Sequence, residues 1–596
     1  MTRFLCLFLL VSGPAAPLLA QGTSRASVGS SGQEANAASL RPVTNGAGTS
    51  VVFQSAASNL VASDTNGVAD IFWRNLTEGT TQRVSVGPGG LEANGASARP
   101  SIDTTGVQLV FESDATNLVA GDLNGVRDVF YVALGFQPPL RISVDTNGAE
   151  ANGPSREAVL STSGYPWAVA FTSSATNLVA GDANGVDDIF VRRSYGPATL
   201  RVSVDSFGNE ANGPSSTPSM QGYGILSGRV AFASLATNLV GGDTNGVQDI
   251  FLHDFQTGAT TRISVSSSGV EANGPSFAPV ISADGRYVAF ESLASNLVAG
   301  DTNGVRDLFL RDTLAGTTTR VSVDALGGEA NGPSTAPCLS GDFLAFSSMA
   351  SNLVSGDTNG VADVFVRELS TGKVTLRSAT SAGALSNGDS LAPSIGLDGR
   401  RVCFESLASN LVAGDTNSAG DVFVNARGPF GSPGTDLCQA GVGSVLACPC
   451  GNPPAGAPQG CDNSAGTGGA VLHSSGSAVL ALDTLAFTAS GELPGATSIL
   501  LQGTVLLSDG LVFGQGVRCV GGSLKRLYAG TAQNGSLTCP PGYGFSISAR
   551  SANLGDPISA GTWRYYTFYY RDPSVLGGCA ATKTFNLTQT QGILWD

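Results

Sequence analysis

The chain has 596 residues, of which 79 are Gly and only 13% are charged, against roughly a quarter in an average soluble protein. Its 31 basic and 46 acidic residues give a net charge of −15, which argues against a nucleic-acid or anionic-membrane partner. The two histidines, His253 and His473, leave almost nothing from which to build a His-based metal site or a Ser-His-Asp machine.

The N-terminus opens on Met1-Thr2-Arg3, runs through an apolar stretch from Phe4 to Val11, and leaves through small residues to Ala20. That stretch is too short to cross a bilayer, and the pattern predicts a secretory signal peptide over residues 1–20. The mature chain is therefore expected to be exported (periplasmic, cell-surface or secreted), with no transmembrane segment after signal removal. Cysteine placement agrees, because seven of the ten Cys (Cys438, Cys448, Cys450, Cys461, Cys519, Cys539 and Cys579) crowd into the last 160 or so residues, as in a disulfide-stabilised domain. Zinc at Cys448-Pro449-Cys450 is the rival reading, and the C-x-C spacing disfavours it. Cys338 and Cys403 sit in apolar strand contexts and read as core.

From residue 21 to 427 the chain repeats. Asp-x-Asn-Gly-x-x-Asp begins at Asp64, Asp122, Asp182, Asp243, Asp301, Asp357 and Asp415, with Ser418 replacing Gly in the last copy. Successive copies are 58, 60, 61, 58, 56 and 58 residues apart. The fifth unit can be read in full. A first strand over Ala278–Ser282 leads into the turn Ala283-Asp284-Gly285-Arg286. A second strand, Tyr287 to Ser292, precedes the repeated loop, a third runs from Asp307 to Arg311, and a fourth covers Thr319 to Val323. Four short antiparallel strands per unit, many times over, is the pattern of a propeller blade.

The fourth-strand motif Arg-x-Ser-Val tests closure. It stands at Arg25, Arg83, Arg141, Arg201, Arg262 and Arg320, with a degraded copy at Arg377-Ser378-Ala379. One copy thus precedes the first unit, and none follows the last third strand at Asp421-Val422-Phe423-Val424. Pairing the leftover N-terminal strand with strands between 392 and 425 predicts an all-β, seven-bladed propeller closed by its own N-terminus.

The segments Ser282-Ala283-Asp284-Gly285-Arg286-Tyr287-Val288-Ala289-Phe290 and Asp307-Leu308-Phe309-Leu310-Arg311-Asp312 resemble the WD40-like (PD40) repeats of the TolB family, over roughly residues 24 to 427. The resemblance implies fold and export. TolB itself carries an N-terminal α/β domain ahead of its propeller, whereas a strand follows the signal segment directly here.

The repeated loop carries the candidate chemistry. Oxygen donors at positions 1, 3 and 7 around a Gly suit a hard cation such as Ca²⁺. They are Asp64, Asn66 and Asp70; Asp122, Asn124 and Asp128; Asp182, Asn184 and Asp188; Asp243, Asn245 and Asp249; Asp301, Asn303 and Asp307; Asp357, Asn359 and Asp363; and Asp415, Asn417 and Asp421. The loop resembles the tail of the calcium loops in integrin-type propellers, without their first acid, which is Ala299 in the fifth unit. The same residues also serve as plain turn chemistry, since Asp and Asn bond neighbouring backbone amides and Gly follows Asn in many turns. A second recurrent loop, Glu-Ala-Asn-Gly-Pro-Ser at Glu150, Glu210, Glu271 and Glu329, has relatives at Glu34 and Glu92 and carries Leu385 in the sixth unit. It reads as an inter-blade turn with a solvated acid.

No catalytic set stands out. Propeller sialidases use a Ser-x-Asp-x-Gly-x-x-Trp turn, which the Ser-Ala-Asp-Gly turn lacks. The repeated Arg residues fall on fourth strands, the outer edge of a blade. His253 takes the place of Arg311 and is expected at the surface, and no Gly-x-Ser-x-Gly elbow occurs.

Residues 428–436 read as a Gly/Pro linker. Residues 437–596 read as a small, disulfide-containing, β-sandwich-like domain. Its segments Cys448-Pro449-Cys450-Gly451-Asn452, Gly460-Cys461-Asp462-Asn463-Ser464, Arg518-Cys519-Val520-Gly521-Gly522 and Phe585-Asn586-Leu587-Thr588 resemble an uncharacterised C-terminal domain of exported planctomycete proteins, which implies no activity. Tyr565, Tyr566, Tyr569 and Tyr570 are read as sheet packing rather than a glycan platform.

The sequence therefore predicts an exported, non-enzymatic binding or scaffold protein, a monomeric propeller stabilised by Ca²⁺ at its loops and directed at a protein or glycan of the cell envelope or beyond. Two alternatives accompany it: an extracytoplasmic propeller glycan hydrolase or lyase, and a TolB-like partner protein of the envelope.

Overall fold

The computed structural model describes residues 22–161, 167–194, 198–222, 228–324, 326–426, 434–438, 440, 445–450, 452–455, 459–475, 478, 480, 483–541, 545–559, 562–574 and 584–595. The expected signal peptide lies outside the described residues. The chain divides into two compact units, Met1–Arg427 and Gly428–Asp596.

In the first unit the described residues form seven four-stranded antiparallel sheets. The fifth runs Ser276–Ile281, Tyr287–Ser292, Asp307–Asp312, Thr317–Arg320. The seventh is assembled from both ends of the repeat array. Ser390–Ile395, Arg401–Ser406 and Asp421–Ala426 are completed by Gly22–Arg25, with Gly22 opposite Ala426 and Arg25 opposite Phe423. The first strands of neighbouring sheets lie against one another in cyclic order, Ser390–Ile395 against Ser39–Thr44 included. Across that seam Thr44 N donates to Ser394 Oγ at 3.1 Å, and Arg41 N donates to Glu405 Oε2 at 2.6 Å. The sheets are the blades of a β-propeller, numbered here 1 to 7 from the blade that begins at Ser39.

Apolar residues at alternate positions of the middle strands build the layers between blades. Val110, Val129 and Ile142 of blade 2 pack with Val169, Phe171 and Phe190 of blade 3. A Phe on each second strand stacks on a Phe of the third, from Phe53–Phe72 to Phe404–Phe423, with ring centroids 5.8–6.0 Å apart in all seven blades.

The strands depart from the expected ones in two places. The fourth strand of blade 5 ends at Arg320 rather than Val323, because Ser322 leaves the ladder to donate its hydroxyl to Asp307 Oδ1 at 2.5 Å and accept from Leu308 N at 3.0 Å. Each first strand contains a bulge, as between Phe277 and Val280. A non-Gly residue sits there with positive φ, 44° at Ala278 and 51° at Arg41.

His253 is buried rather than exposed: it is 7% accessible, with Nδ1 2.9 Å from Thr260 Oγ1. The position is covered by the preceding inter-blade loop. Thr260 Oγ1 donates to Val204 O at 2.5 Å, and in blade 5 the equivalent Arg311 donates to Ser266 O at 3.2 Å. Burial, partly opposed by Asp254, pulls the His253 pKa down.

The second unit is also nearly all strand, with the helix Ile547–Asn553. A sheet containing Thr497–Gly503, Lys525–Thr531, Thr562–Arg571 and Thr590–Trp595 faces a three-stranded sheet of Val471–Ser475, Ala486–Ser490 and Ser536–Cys539. Leu472, Phe487, Leu500, Leu527, Tyr566, Phe568 and Trp595 meet between them. The strand Gly434–Cys438 pairs with Thr590–Trp595, so the stretch expected as a linker ends inside a sheet edge. Cys448 is bonded to Cys461, Cys450 and Cys519 are disulfide-bonded, and Cys539 is a free, buried thiol. Tyr566 and Tyr570 are fully buried, and Tyr569 packs on the opposite face with Leu501 and Leu587. Tyr565 is half-buried and stacks on the exposed Trp563, so three of the four tyrosines pack as the packing reading expects and the start of the strand is open on one face.

Candidate functional site

The inter-blade loops and the loops between second and third strands lie at the same ends of the strands, because Ser276 pairs with Ser292 and Ser292 with Asp307. The repeated Asp, Asn, Arg and Glu residues therefore converge on one rim. In blade 1 the guanidinium of Arg83 is the centre of the arrangement. Its Nη1 stands 3.2 Å from Asp64 Oδ1, 3.4 Å from Asp70 Oδ2 and 2.6 Å from Glu92 Oε1. The same triad of acids surrounds Arg141 (Asp122, Asp128, Glu150), Arg201 (Asp182, Asp188, Glu210), Arg262 (Asp243, Asp249, Glu271) and Arg320 (Asp301, Asp307, Glu329). In blade 7 Arg25 comes from the N-terminal strand and meets Glu34 at 2.6 Å, Asp415 at 3.3 Å and Asp421 at 3.5 Å. The oxygens of that last trio lie within 4.8 Å of one another, and the positive charge beside them is the arginine.

These arginines do not lie on an exposed outer edge, as their fourth-strand position had suggested. Their side chains are 7–11% accessible, covered by the loop on one side and the next inter-blade segment on the other. The position-3 Asn faces the position-7 Asp with its amide nitrogen: Asn303 Nδ2 donates to Asp307 Oδ2 at 2.8 Å and to Ala330 O at 3.1 Å, while its Oδ1 accepts from Val305 N at 3.1 Å. The other oxygen of Asp307 is held by Ser322. Glu329 is not a free surface acid either. It accepts from the backbone N–H and the hydroxyl of Thr302 at 2.8 and 2.7 Å, and those bonds together with Arg320 hold its pKa near about 2. The partly buried acids shift the other way: desolvation, reinforced by Asp188, pushes Asp182 up to about 6.

A second layer of bonds joins successive blades. Asn273, in the segment Glu271-Ala272-Asn273-Gly274, donates to Ser295 Oγ at 3.1 Å and accepts from Ser295 N at 2.9 Å, and Asn296 Nδ2 donates back to Glu271 O at 2.9 Å. Glu271 belongs to the lock of blade 4 and Asn273 grips the loop of blade 5, so one short segment fastens two blades. Gly274 is required by close approach: a Cβ there would stand 2.9 Å from Leu293 O.

Blade 6 departs from the pattern. Ser378 donates to Asp363 Oδ1 as Ser322 does to Asp307, which places Leu376, not Arg377, at the arginine position. The apparent motif copy at Arg377 is out of register by one residue. Arg377 is fully buried and turns toward blade 7, donating to Asn425 Oδ1 at 3.2 Å. Leu385 stands where the Glu stands elsewhere, so both members of the Arg–Glu pair are replaced by Leu. Asp357 and Asp363 remain, 7% and 0% accessible, and among the described residues no Lys or Arg forms an ion pair with either. Ser386 replaces the usual Ala and donates to Asp363 Oδ1 at 2.9 Å. Burial and Asp363 raise the pKa of Asp357.

The structure thus brings every position-1, position-3 and position-7 residue of each loop together. The sequence reading missed the Arg at the centre and the Glu that straps the loop. One signal was available: Leu376 and Leu385 replace both in the same repeat.

No family model matches the chain, and no curated protein matches it. Among solved structures, an Agrobacterium tumefaciens protein assigned as TolB is 14% identical with a TM-score of 0.29, over 50% of this chain and 83% of that one. Oligogalacturonate lyase from Vibrio parahaemolyticus is 10% identical, TM-score 0.40, over 67% and 92%. The WD40 repeats of RRP9 are 7% identical, TM-score 0.34, over 68% and 96%. These likenesses are of fold alone. The chain is a β-propeller protein with TolB-like and WD40 neighbours. Among the described residues no helix is long and apolar enough to cross a membrane.

Proposed function

We propose that the protein is an exported, non-enzymatic binding scaffold whose loop rim is made rigid by arginine–carboxylate locks and presents a preorganised face to a partner. The observation that carries this reading is the consumption of the repeated polar side chains by the ring itself. Arg, Asp, Asn and Glu of six loops bond one another and the neighbouring blade, which is what a stiff platform needs and what a set of reactive groups does not. Likeness to a lyase in fold carries no activity. Incubation with acidic and neutral polysaccharides, read by reducing ends and by unsaturated products, is expected to show no turnover. Turnover by the purified protein would replace the scaffold reading with the hydrolase or lyase one.

Calcium enters this proposal at one loop. In six loops the place between the position-1 and position-7 Asp is filled by a guanidinium, so the donor set does not fit a cation. In the sixth loop the guanidinium and the Glu are gone and two buried carboxylates remain; Asn359 Nδ2 still donates to Asp363 Oδ2 at 2.7 Å and Ser378 and Ser386 donate to its Oδ1, so a hard cation would take Asp357, displace the Asn359 donor from Asp363 and draw its other ligands from carbonyls or water. Asp357 and Asp363 would hold it. Calorimetry with Ca²⁺ and EGTA is expected to show about one site per chain, abolished by Asp357→Asn and untouched by Asp301→Asn. Seven equivalents would restore Ca²⁺ to every loop, and no heat with no change in melting temperature would remove it altogether.

A further inference from the structure

In the six complete locks the glutamate does more than face the arginine. Its carboxylate rests in a cradle made by the residue at position 2 of the loop, whose backbone N–H donates to it in all six, from 2.8 Å between Thr302 and Glu329 to 3.2 Å between Ala183 and Glu210 in two of them. Where position 2 is Thr, as in four of the six, the hydroxyl donates as well, at 2.5–2.8 Å. The ring thus shows repeatedly what this place holds: the carboxylate of a glutamate side chain, with a cation beside it.

Blade 6 keeps the cradle and has lost its occupant. Position 2 is Thr358, and Leu385 stands 27 residues beyond it, the separation of Thr302 from Glu329. Thr358 is exposed, and among the described residues neither its N–H nor its hydroxyl has a hydrogen-bond partner. A leucine side chain stops at Cδ, short of where the guanidinium and the carboxylate oxygens stand in the other blades. Ser355, Gly356 and Gly360 around Thr358 are exposed too, and residues this small leave the approach open. A carboxylate entering alone would face Asp357 and Asp363 with no positive charge between them. With Ca²⁺ held by those two acids it meets a cation, as Glu329 meets Arg320, and it replaces one of the waters or carbonyls that would otherwise complete the coordination.

We infer that the sixth loop is a Ca²⁺-dependent receptor for an acidic side chain of a partner protein. Ca²⁺ on Asp357 and Asp363 takes the place of the arginine, and a glutamate or aspartate of the partner takes the place of the missing Glu, accepting from the N–H and the hydroxyl of Thr358. The ring itself argues for this occupant, because the same cradle elsewhere holds a glutamate carried on a peptide segment that a single bridge, such as Val323 with Glu329, joins to its own blade. A partner's peptide presents that group in the same way. One open loop among seven gives the ring a single binding position. The inference rests on the calcium reading of the sixth loop and names the partner chemistry of that site.

Random peptides displayed on phage are captured on the full chain in Ca²⁺ and released with EGTA, and the released sequences are synthesised with a fluorescent label and titrated by anisotropy. They are expected to share a Glu or Asp whose change to Gln or Asn weakens binding about tenfold or more. Thr358→Val is expected to weaken binding about tenfold while taking up Ca²⁺ as the wild type does, a split that a purely structural threonine would not give. Leu376→Arg/Leu385→Glu, which closes the lock as the other blades close it, is expected to abolish Ca²⁺ uptake and peptide binding together without lowering the melting temperature. Ca²⁺ uptake by the wild type with no peptide enriched over the same selection on the closed variant would overturn the carboxylate site and leave the calcium reading standing. Binding of a labelled polyuronate with no peptide enriched would give the site to a sugar acid and overturn the partner-protein assignment. Absence of Ca²⁺ uptake would remove the site and the calcium reading together.

Discussion

Replacing Arg262 by Leu is expected to be among the most damaging single changes in the propeller, lowering its stability by about 3–5 kcal/mol. The reason is asymmetric. Arg262 is the positive charge beside Asp243, Asp249 and Glu271, at 3.2, 3.4 and 2.9 Å, and removing it leaves two largely buried carboxylates facing each other without compensation. The protein itself supplies the control. Blade 6 carries Leu376 and Leu385 in place of both Arg and Glu, with Ser386 beside them. The double variant Arg262→Leu/Glu271→Leu is therefore expected to be more stable than Arg262→Leu alone, and adding Ala272→Ser should recover more by giving Asp249 the donor that Ser386 gives Asp363. Urea midpoints for the set decide the matter. If the double variant loses the sum of the two single losses, the arginine and the acids are not coupled and the lock is no lock.

The second large effect belongs to the C-terminal unit and depends on pH. Glu492 is 1% accessible; its Oε1 accepts from Ser498 Oγ at 2.6 Å, and its Oε2 has no partner among the described residues. Desolvation pushes its pKa from 4.5 up to about 7. The native state thus holds a proton that the unfolded chain has already released. The stability contributed by the neutral carboxyl is fully present below about pH 4.5 and is lost progressively as the pH rises to about 7, by about 3 kcal/mol in all. Urea denaturation of the full chain at a series of pH values should show this decline in the transition of residues 428–596. Glu492→Gln should remove it and raise stability above neutrality. A wild-type transition that does not respond to pH between those limits would contradict the assignment.

Within the propeller, the fold and the chemistry of the loops differed in how much was readable. Blade boundaries were legible because the Asp-x-Asn-Gly-x-x-Asp spacing fixes where each second strand ends and each third begins: Tyr287–Ser292 is as expected, and the third strand extends one residue beyond Arg311. The leftover strand at Gly22–Arg25 was legible because an Arg-x-Ser-Val copy stood at one end with none at the other. The chemistry of the loop was not. Positions 1, 3 and 7 lie within seven residues of sequence, so their convergence could be seen. Arg262, by contrast, lies 13 residues beyond Asp249, on another strand, and Glu271 nine residues further on, past a turn. A local motif therefore read as a site awaiting a cation, while the cation came from elsewhere in the same blade. The burial of His253 escaped for a similar reason, since the loop that covers it comes from about 50 residues upstream and long-range covering leaves no mark in a local pattern.

The strand Gly22–Arg25 also sets an order of assembly. Thr23 accepts a hydrogen bond from Asn425, 402 positions later in the chain, and of the propeller's sheets the one that contains both is the last for which all strands exist as synthesis proceeds. Six blades can form from contiguous sequence as each emerges, while the first-made strand must wait, with an unpaired edge, for the last-made blade. A propeller of this kind is slow to finish and quick to begin. Until residue 426 is available, that edge is a place where a chaperone or a second copy of the chain can bind before the protein has sealed itself.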